Sequence, residues 1–143
     1  MKTYIVDASV ATRFILTEDY GENAQKLLGN FMRGEVELTA PTIISYEVGN
    51  ALRTAIARNI IEADEAQDAF RRFLGLRLGG KDVADDELLR ALEWSSKKGV
   101  SLNDGVYIWF SIKLGYPLIT ADGKQLEAAE GETEAIHLRD YAG

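Results

Sequence analysis

The stretch TYIVDASV, residues 3–10, decides how the rest of the chain is read. Tyr4, Ile5 and Val6 are apolar and β-favouring, with no polar alternation. That is the pattern of a strand covered on both faces. The run stops on a carboxylate, Asp7, followed by the small residues Ala8 and Ser9. A buried strand that runs straight into a negative charge needs a reason for the charge.

Outward from this stretch, short strands alternate with helices. Residues 8–19 place Val10, Ala11, Phe14 and Ile15 at helical spacing, with Ser9 available as the cap. Residues 20–34 read as a second helix that stops at Gly34. VELTAP, residues 36–41, is a short strand. The following helix carries an apolar stripe of Ile44, Val48, Ala51, Leu52 and Ala55. Residues 62–78 form a helix with acids in its first turn and arginines near its end, as the macrodipole prefers. KDVAD, residues 81–85, is a weak strand, followed by a helix over 85–98 that closes at Gly99. Ser101 caps a helix that ends before Gly115. PLITADG (117–123) is a strand entering a turn, 124–132 contains a short helix, and EAIHL (134–138) is the last strand. Such alternation implies an α/β fold, a parallel sheet with helices on both faces. In these sheets ligands bind beyond the carboxyl ends of the strands, near the switch in strand order. Asp7 stands at such an end.

Composition narrows the chemistry. The 143 residues fit one domain spanning 1–143, and 46% hydrophobic content makes it globular. No apolar run approaches the roughly 20 residues of a membrane span. The first nine residues lack the uninterrupted apolar core of a signal peptide, so a cytoplasmic location is expected. Without cysteine, disulfides, thiolate metal sites and cysteine nucleophiles are all excluded. His137 is the single histidine, so any metal here has oxygen ligands, which favours Mg²⁺, Mn²⁺ or Ca²⁺. The net charge of −7 gives no global attraction to nucleic acid. A cation held in an acidic pocket could supply that attraction locally.

Four acids stand out, and each has a structural alternative. Asp7 can be a helix cap, although Ser9 is available for that duty. Ser101-x-x-Asp104 resembles a capping box, and so does Asp122-x-x-Gln125 within an Asp-Gly turn. Glu47 has Ile43, Ala51 and Thr54 as helical neighbours and lies beside the apolar stripe, so a pocket-facing position is expected. Together they say more. Asp7 and Asp122 each end a predicted strand, Asp104 opens the helix leading to the second of these, and Glu47 lies in the first turns after VELTAP. All four reach one rim of the sheet. Two carboxylates about 4 Å apart repel by roughly 4 kcal/mol at an effective dielectric near 20. A divalent cation removes that repulsion, and Asp7 is then one of its ligands.

The segments YIVDASV, ISYEVGNAL, SLNDGVYIWFSIKLG and LITADGKQL resemble, in order and spacing, the four acidic motifs of the PIN-domain nuclease family. The likeness is closest to its VapC-type toxins, ribonucleases of toxin–antitoxin pairs, and it spans nearly the whole chain. The resemblance implies a PIN-like α/β/α sandwich of about five parallel strands in the order 3-2-1-4-5. It implies an Mg²⁺- or Mn²⁺-dependent ribonuclease whose acidic quartet is Asp7, Glu47, Asp104 and Asp122. Asp7 and Asp104 would be the principal ligands, Glu47 a ligand or base, and Asp122 the holder of a second ion or its water. Ser9, Thr120 and Asn50 would orient these groups. Arg13, Arg53 and Lys113 are candidates for RNA phosphates. Asn103, Gly105 and Gly123 depart from the residue types usual beside Asp104 and Asp122. Implied partners are an RNA substrate, a small antitoxin and a second copy of the chain, with contacts from FILTEDY (14–20) and AFRRFLGLRL (69–78). Two rivals stand beside this reading: a catalytically silent PIN-fold protein that binds partners, and a Mg²⁺-binding receiver-type signalling module.

Overall fold

The computed structural model describes the backbone of residues 1–143 and every side chain except that of Lys81. β1 (Lys2–Val6) forms where the opening stretch requires it. Ile5 and Val6 point to opposite faces of the sheet, as strand geometry dictates, and both are fully buried. Helices therefore cover both sides.

Along the chain follow α1 (Ala8–Ile15), α2 (Gly21–Met32), β2 (Val36–Pro41), α3 (Ile43–Ala57), α4 (Ala63–Gly75), β3 (Gly79–Lys81) and α5 (Asp85–Lys98). Then come α6 (Leu102–Leu114), β4 (Leu118–Thr120), α7 (Gly123–Ala129), β5 (Ala135–His137) and a 3₁₀ turn over Leu138–Asp140. The five strands pair in parallel in the order β3-β2-β1-β4-β5, the expected architecture. It differs from the 2-1-3-4-5 order of receiver modules, which sets that rival aside. α1 packs on α2, α3 and α4, while α5 packs on α6, and α6 lies against β1, β2 and β4. Among the described residues, no helix is long and apolar enough to cross a membrane.

One local expectation is corrected. The third strand is Gly79–Lys81, not KDVAD. A Cβ at Gly79 would stand 2.9 Å from Ile44 Cγ2, so this edge strand runs against the start of α3 at a distance only glycine permits. Of the proposed contact segments, Phe14, Ala69, Phe73 and Leu78 are core residues, whereas Tyr20 and Leu74 are exposed.

Parallel pairing positions the site. β1, β2 and β4 all end on one edge, so α1 and α3 start there. α6 runs back toward the start of β4 and so also begins at that edge. The order reverses between β1 and β4, which places Asp7 and Asp122 on either side of the switch.

Candidate active site

Asp7 is the N-cap of α1 and accepts a hydrogen bond from the Val10 amide at 3.3 Å. Ser9, the residue expected to cap, takes another role. Its hydroxyl donates to Asp7 Oδ1 at 2.5 Å and accepts from the Ala121 amide at 2.8 Å. Asp7 Oδ2 accepts from the Thr120 hydroxyl at 2.5 Å, and Thr120 Oγ1 accepts from the Asp122 amide at 3.1 Å. Two hydroxyls thus join the ends of β1 and β4 through one carboxylate. Asp7 is 5% exposed. Loss of hydration pushes its pKa up to about 6; the Ser9, Thr120 and Val10 hydrogen bonds oppose this and neighbouring Asp104 adds to it.

Asp104 lies in the first turn of α6, where the Ser101 side chain caps its amide at 3.1 Å as expected. Its carboxyl is also held above the usual range, chiefly by burial, with Asp122 contributing repulsion and Ser101 opposing both. Asp122 is exposed and caps α7 through the Lys124 amide at 3.0 Å. The expected box with Gln125 does not form. Gln125 is instead buried, and its Nε2 donates to the Asp104 carbonyl at 3.0 Å, tying α7 to α6. Capping and site duty are therefore not alternatives: Asp7 and Asp122 cap their helices at the rim itself.

Glu47 reaches the same rim from α3. Its Oε1 accepts from the Tyr107 hydroxyl at 2.6 Å and its Oε2 from Asn103 Nδ2 at 3.4 Å. Tyr107 is 1% exposed and lies within electrostatic reach of Glu47, Asp7 and Asp104; burial and these negative charges push its hydroxyl far above the ordinary range. These contacts of Tyr107 and Asn103 with Glu47 were not anticipated by the motif reading. The signal was available, since Tyr107 is one helical turn from Asp104 and shares its face.

The two unusual neighbours of Asp104 acquire physical reasons. Asn103 is the second donor to Glu47. A Cβ on Gly105 would stand 1.8 Å from Ser95 Oγ, so the Ser95 side chain of α5 fills the space that an alanine methyl would need.

The expected supporting residues separate. Ser9 and Thr120 contact Asp7, whereas Asn50 is exposed on α3 and its side chain makes no hydrogen bond among the described residues. Arg13 is committed to backbone: Nη1 donates to the Ser9 carbonyl at 2.6 Å and Nε to the Asp19 carbonyl at 2.7 Å. Lys113 pairs with Glu87 at 2.7 Å, and Trp109 Nε1 donates to the same carboxylate oxygen at 3.3 Å. Arg53 is exposed. Beside Asp104 opens a cleft of about 470 Å³, which Ser101, Lys98 and Lys124 also line. Two larger cavities are lined by none of the four acids.

Do these residues suit a divalent cation? The donor set is all carboxylate and hydroxyl oxygen, the chemistry of Mg²⁺ and Mn²⁺. No described lysine or arginine forms an ion pair with any of the four acids, although Asp7 and Asp104 repel each other, as do Asp104 and Asp122. The charge is thus concentrated and uncompensated, and the residues fit. They are not drawn into a closed cage, because among the described residues no three Asp, Glu or His side chains already form a group able to enclose an ion.

An all-parallel α/β/α sandwich with acids gathered where its strand order reverses defines a class of protein, and comparison identifies the class. The sequence model of the PIN domain family matches residues 4–131, and the chain belongs to that family. It is 32% identical over 134 residues to Ribonuclease VapC12 of Mycobacterium tuberculosis, covering 94% of this chain and 97% of that one. Ribonuclease VapC3 of Pyrobaculum aerophilum is 27% identical over 124 residues, covering 86% and 92%. Among solved structures, PAE2754 of Pyrobaculum aerophilum superposes with a TM-score of 0.71 at 23% identity, covering 96% of this chain and 91% of that one. VapBC2 of Rickettsia felis, solved with a DNA fragment from its promoter, gives 0.68 at 14% identity, covering 94% and 98%. These structural likenesses establish a shared fold.

Proposed function

We propose that this chain is an endoribonuclease, the toxin of a toxin–antitoxin pair, and that its activity depends on Mg²⁺ or Mn²⁺. One observation carries the reading: a desolvated carboxylate, Asp7, is held by two hydroxyls beside Asp104 at the strand switch, with no basic partner among the described residues. Family membership along the chain and the two ribonuclease relatives support the same activity.

Asp7, Glu47, Asp104 and Asp122 would hold the cation. When bound, it supplies a more acidic water and offsets charge on the scissile phosphodiester. The chain's own residues do the rest. Ser9 and Thr120 orient Asp7 by donating to one oxygen each, and the Ala121 and Asp122 amides orient those hydroxyls in turn. Tyr107 and Asn103 hold Glu47. Lys124, which lines the Asp104 cleft, takes over the phosphate-contact role first considered for Arg13 and Lys113, whose charged groups are already engaged, as is that of Lys98 with Glu132 at 2.7 Å. Arg53 and Asn50 stay as exposed positions available to RNA.

The test is RNA cleavage by Asp7→Asn and Asp104→Asn variants in Mg²⁺ and in Mn²⁺. Loss of cleavage by at least a hundredfold in both supports the reading. Undiminished cleavage by either variant removes it, and a wild-type protein silent on diverse RNAs favours the partner-binding alternative. The proposed partners are a small antitoxin protein and a second copy of the chain. Coexpression with the neighbouring short reading frame, followed by size-exclusion chromatography, tests both.

A further inference from the structure

Glu47 and Asp104 arrive at the rim on different parts of the fold. α3, which carries Glu47, packs on α1, α4, β2 and β3. α6, which carries Asp104, packs on α5 and on β1, β2 and β4. Between the two helices, the hydrogen bonds among described side chains are those from Tyr107 and Asn103 to Glu47. They are unequal. The Tyr107 bond is 2.6 Å, short and charge-assisted, whereas the Asn103 bond is 3.4 Å. Tyr107 has its ring sealed in the core at 1% exposure, so its hydroxyl is presented from a rigid base. Within this cluster the hydroxyl donates to Glu47 Oε1.

We propose that Tyr107 is a positioning residue, its hydroxyl tying Glu47 Oε1 so that Oε2 is left to be offered to the divalent cation. This rests on the metal-dependent reading above. The long Asn103 contact marks Oε2 as the oxygen more readily released. One of the acids is thus aimed by a residue on the same helix face as another. Groups that orient metal ligands commonly change metal affinity about 10–100-fold when removed.

Tyr107→Phe deletes the hydroxyl and keeps the ring in its packing. The assay titrates Mn²⁺ alone against wild type, Tyr107→Phe, Glu47→Gln and the double variant, by calorimetry and by melting temperature, without RNA. The same proteins are then assayed for RNA cleavage against Mn²⁺ concentration. Tyr107→Phe should need about tenfold more Mn²⁺ for half-saturation, while cleavage at saturating Mn²⁺ stays within a few-fold of wild type. In the Glu47→Gln background the same change should leave Mn²⁺ affinity unaltered, because Tyr107 acts through Glu47. Asn103→Ala, which removes the longer bond, should shift the titration by less than Tyr107→Phe. A Tyr107→Phe titration that overlays wild type overturns the proposal, and so does an equal loss in both backgrounds. No Mn²⁺ response in wild type overturns the metal-dependent reading and this proposal together, so the wild-type arm separates the two failures.

Discussion

Replacing Asp7 by Asn should stabilise the protein while abolishing cleavage. Asp7 is 5% exposed, and burial has moved its pKa from 3.8 to about 6. The sign follows from linkage. The unfolded chain releases this proton near 3.8, the folded chain only near 6. Stability is complete below the unfolded value and is lost as pH rises toward and through the folded one. A shift of this size corresponds to about 3 kcal/mol once both states are ionised. Asn keeps the shape without the charge. Its Oδ1 still accepts from the Val10 amide and Ser9. Its Nδ2 donates to Thr120 Oγ1, whose own hydrogen turns toward Ser9 Oγ at 3.3 Å. Rearranged neutral bonds return about 1 kcal/mol of that gain, which leaves about 2 kcal/mol at pH 7.5, or roughly 4–8 °C for a domain of this size. The assay is thermal and urea unfolding of both proteins in a chelator at pH 4.5 and 7.5. The advantage of the variant should grow by about 2 kcal/mol between those pH values, as carboxylate titration from 3.8 to 6 requires. A variant less stable than wild type at pH 7.5, or an advantage independent of pH, would refute the reasoning and leave capping of α1 as the dominant role.

Adding Mg²⁺ or Mn²⁺ at about 100 times its dissociation constant should raise wild-type stability by about 2.7 kcal/mol, seen as a higher melting temperature. Asp7→Asn and Asp104→Asn should lose most of that rise; a full response in both would mean that the ion binds elsewhere. Gly105→Ala should destabilise by about 1–3 kcal/mol through overpacking against Ser95. Combined with Ser95→Ala it should recover most of that loss, a non-additive pair measurable by denaturant midpoints. Ser95→Ala alone should not destabilise, because the buried Ser95 hydroxyl has no hydrogen-bond partner among the described residues. Lys113→Met should leave cleavage unchanged, since Lys113 pairs with Glu87 rather than facing the quartet. A large loss of cleavage would place Lys113 on the RNA path after all.

The parts of this protein legible from sequence are those encoded by local periodicity. Tyr4-Ile5-Val6 specified a doubly covered strand, and the 3.6-residue stripes specified the helices, because burying apolar side chains on one element depends on spacing within that element. Ser101 as a cap and Gly99 and Gly115 as helix stops were readable for the same reason. Alternating strands and helices implied the parallel sheet, and parallel strands carry Asp7 and Asp122 to a shared edge whatever their packing. Tertiary structure alone decided the rest. The Thr120 bond to Asp7 spans 113 positions and the Tyr107 bond to Glu47 spans 60. No local pattern announces which hydroxyl meets which carboxylate over such distances. Nor does sequence reveal that Ser9 serves Asp7 instead of capping, or that Gln125 is drawn inward to the Asp104 carbonyl. Each of these outcomes is set by which polar groups lose water when the layers close. Once water is gone, a buried donor must find an acceptor among the groups that folding has placed beside it.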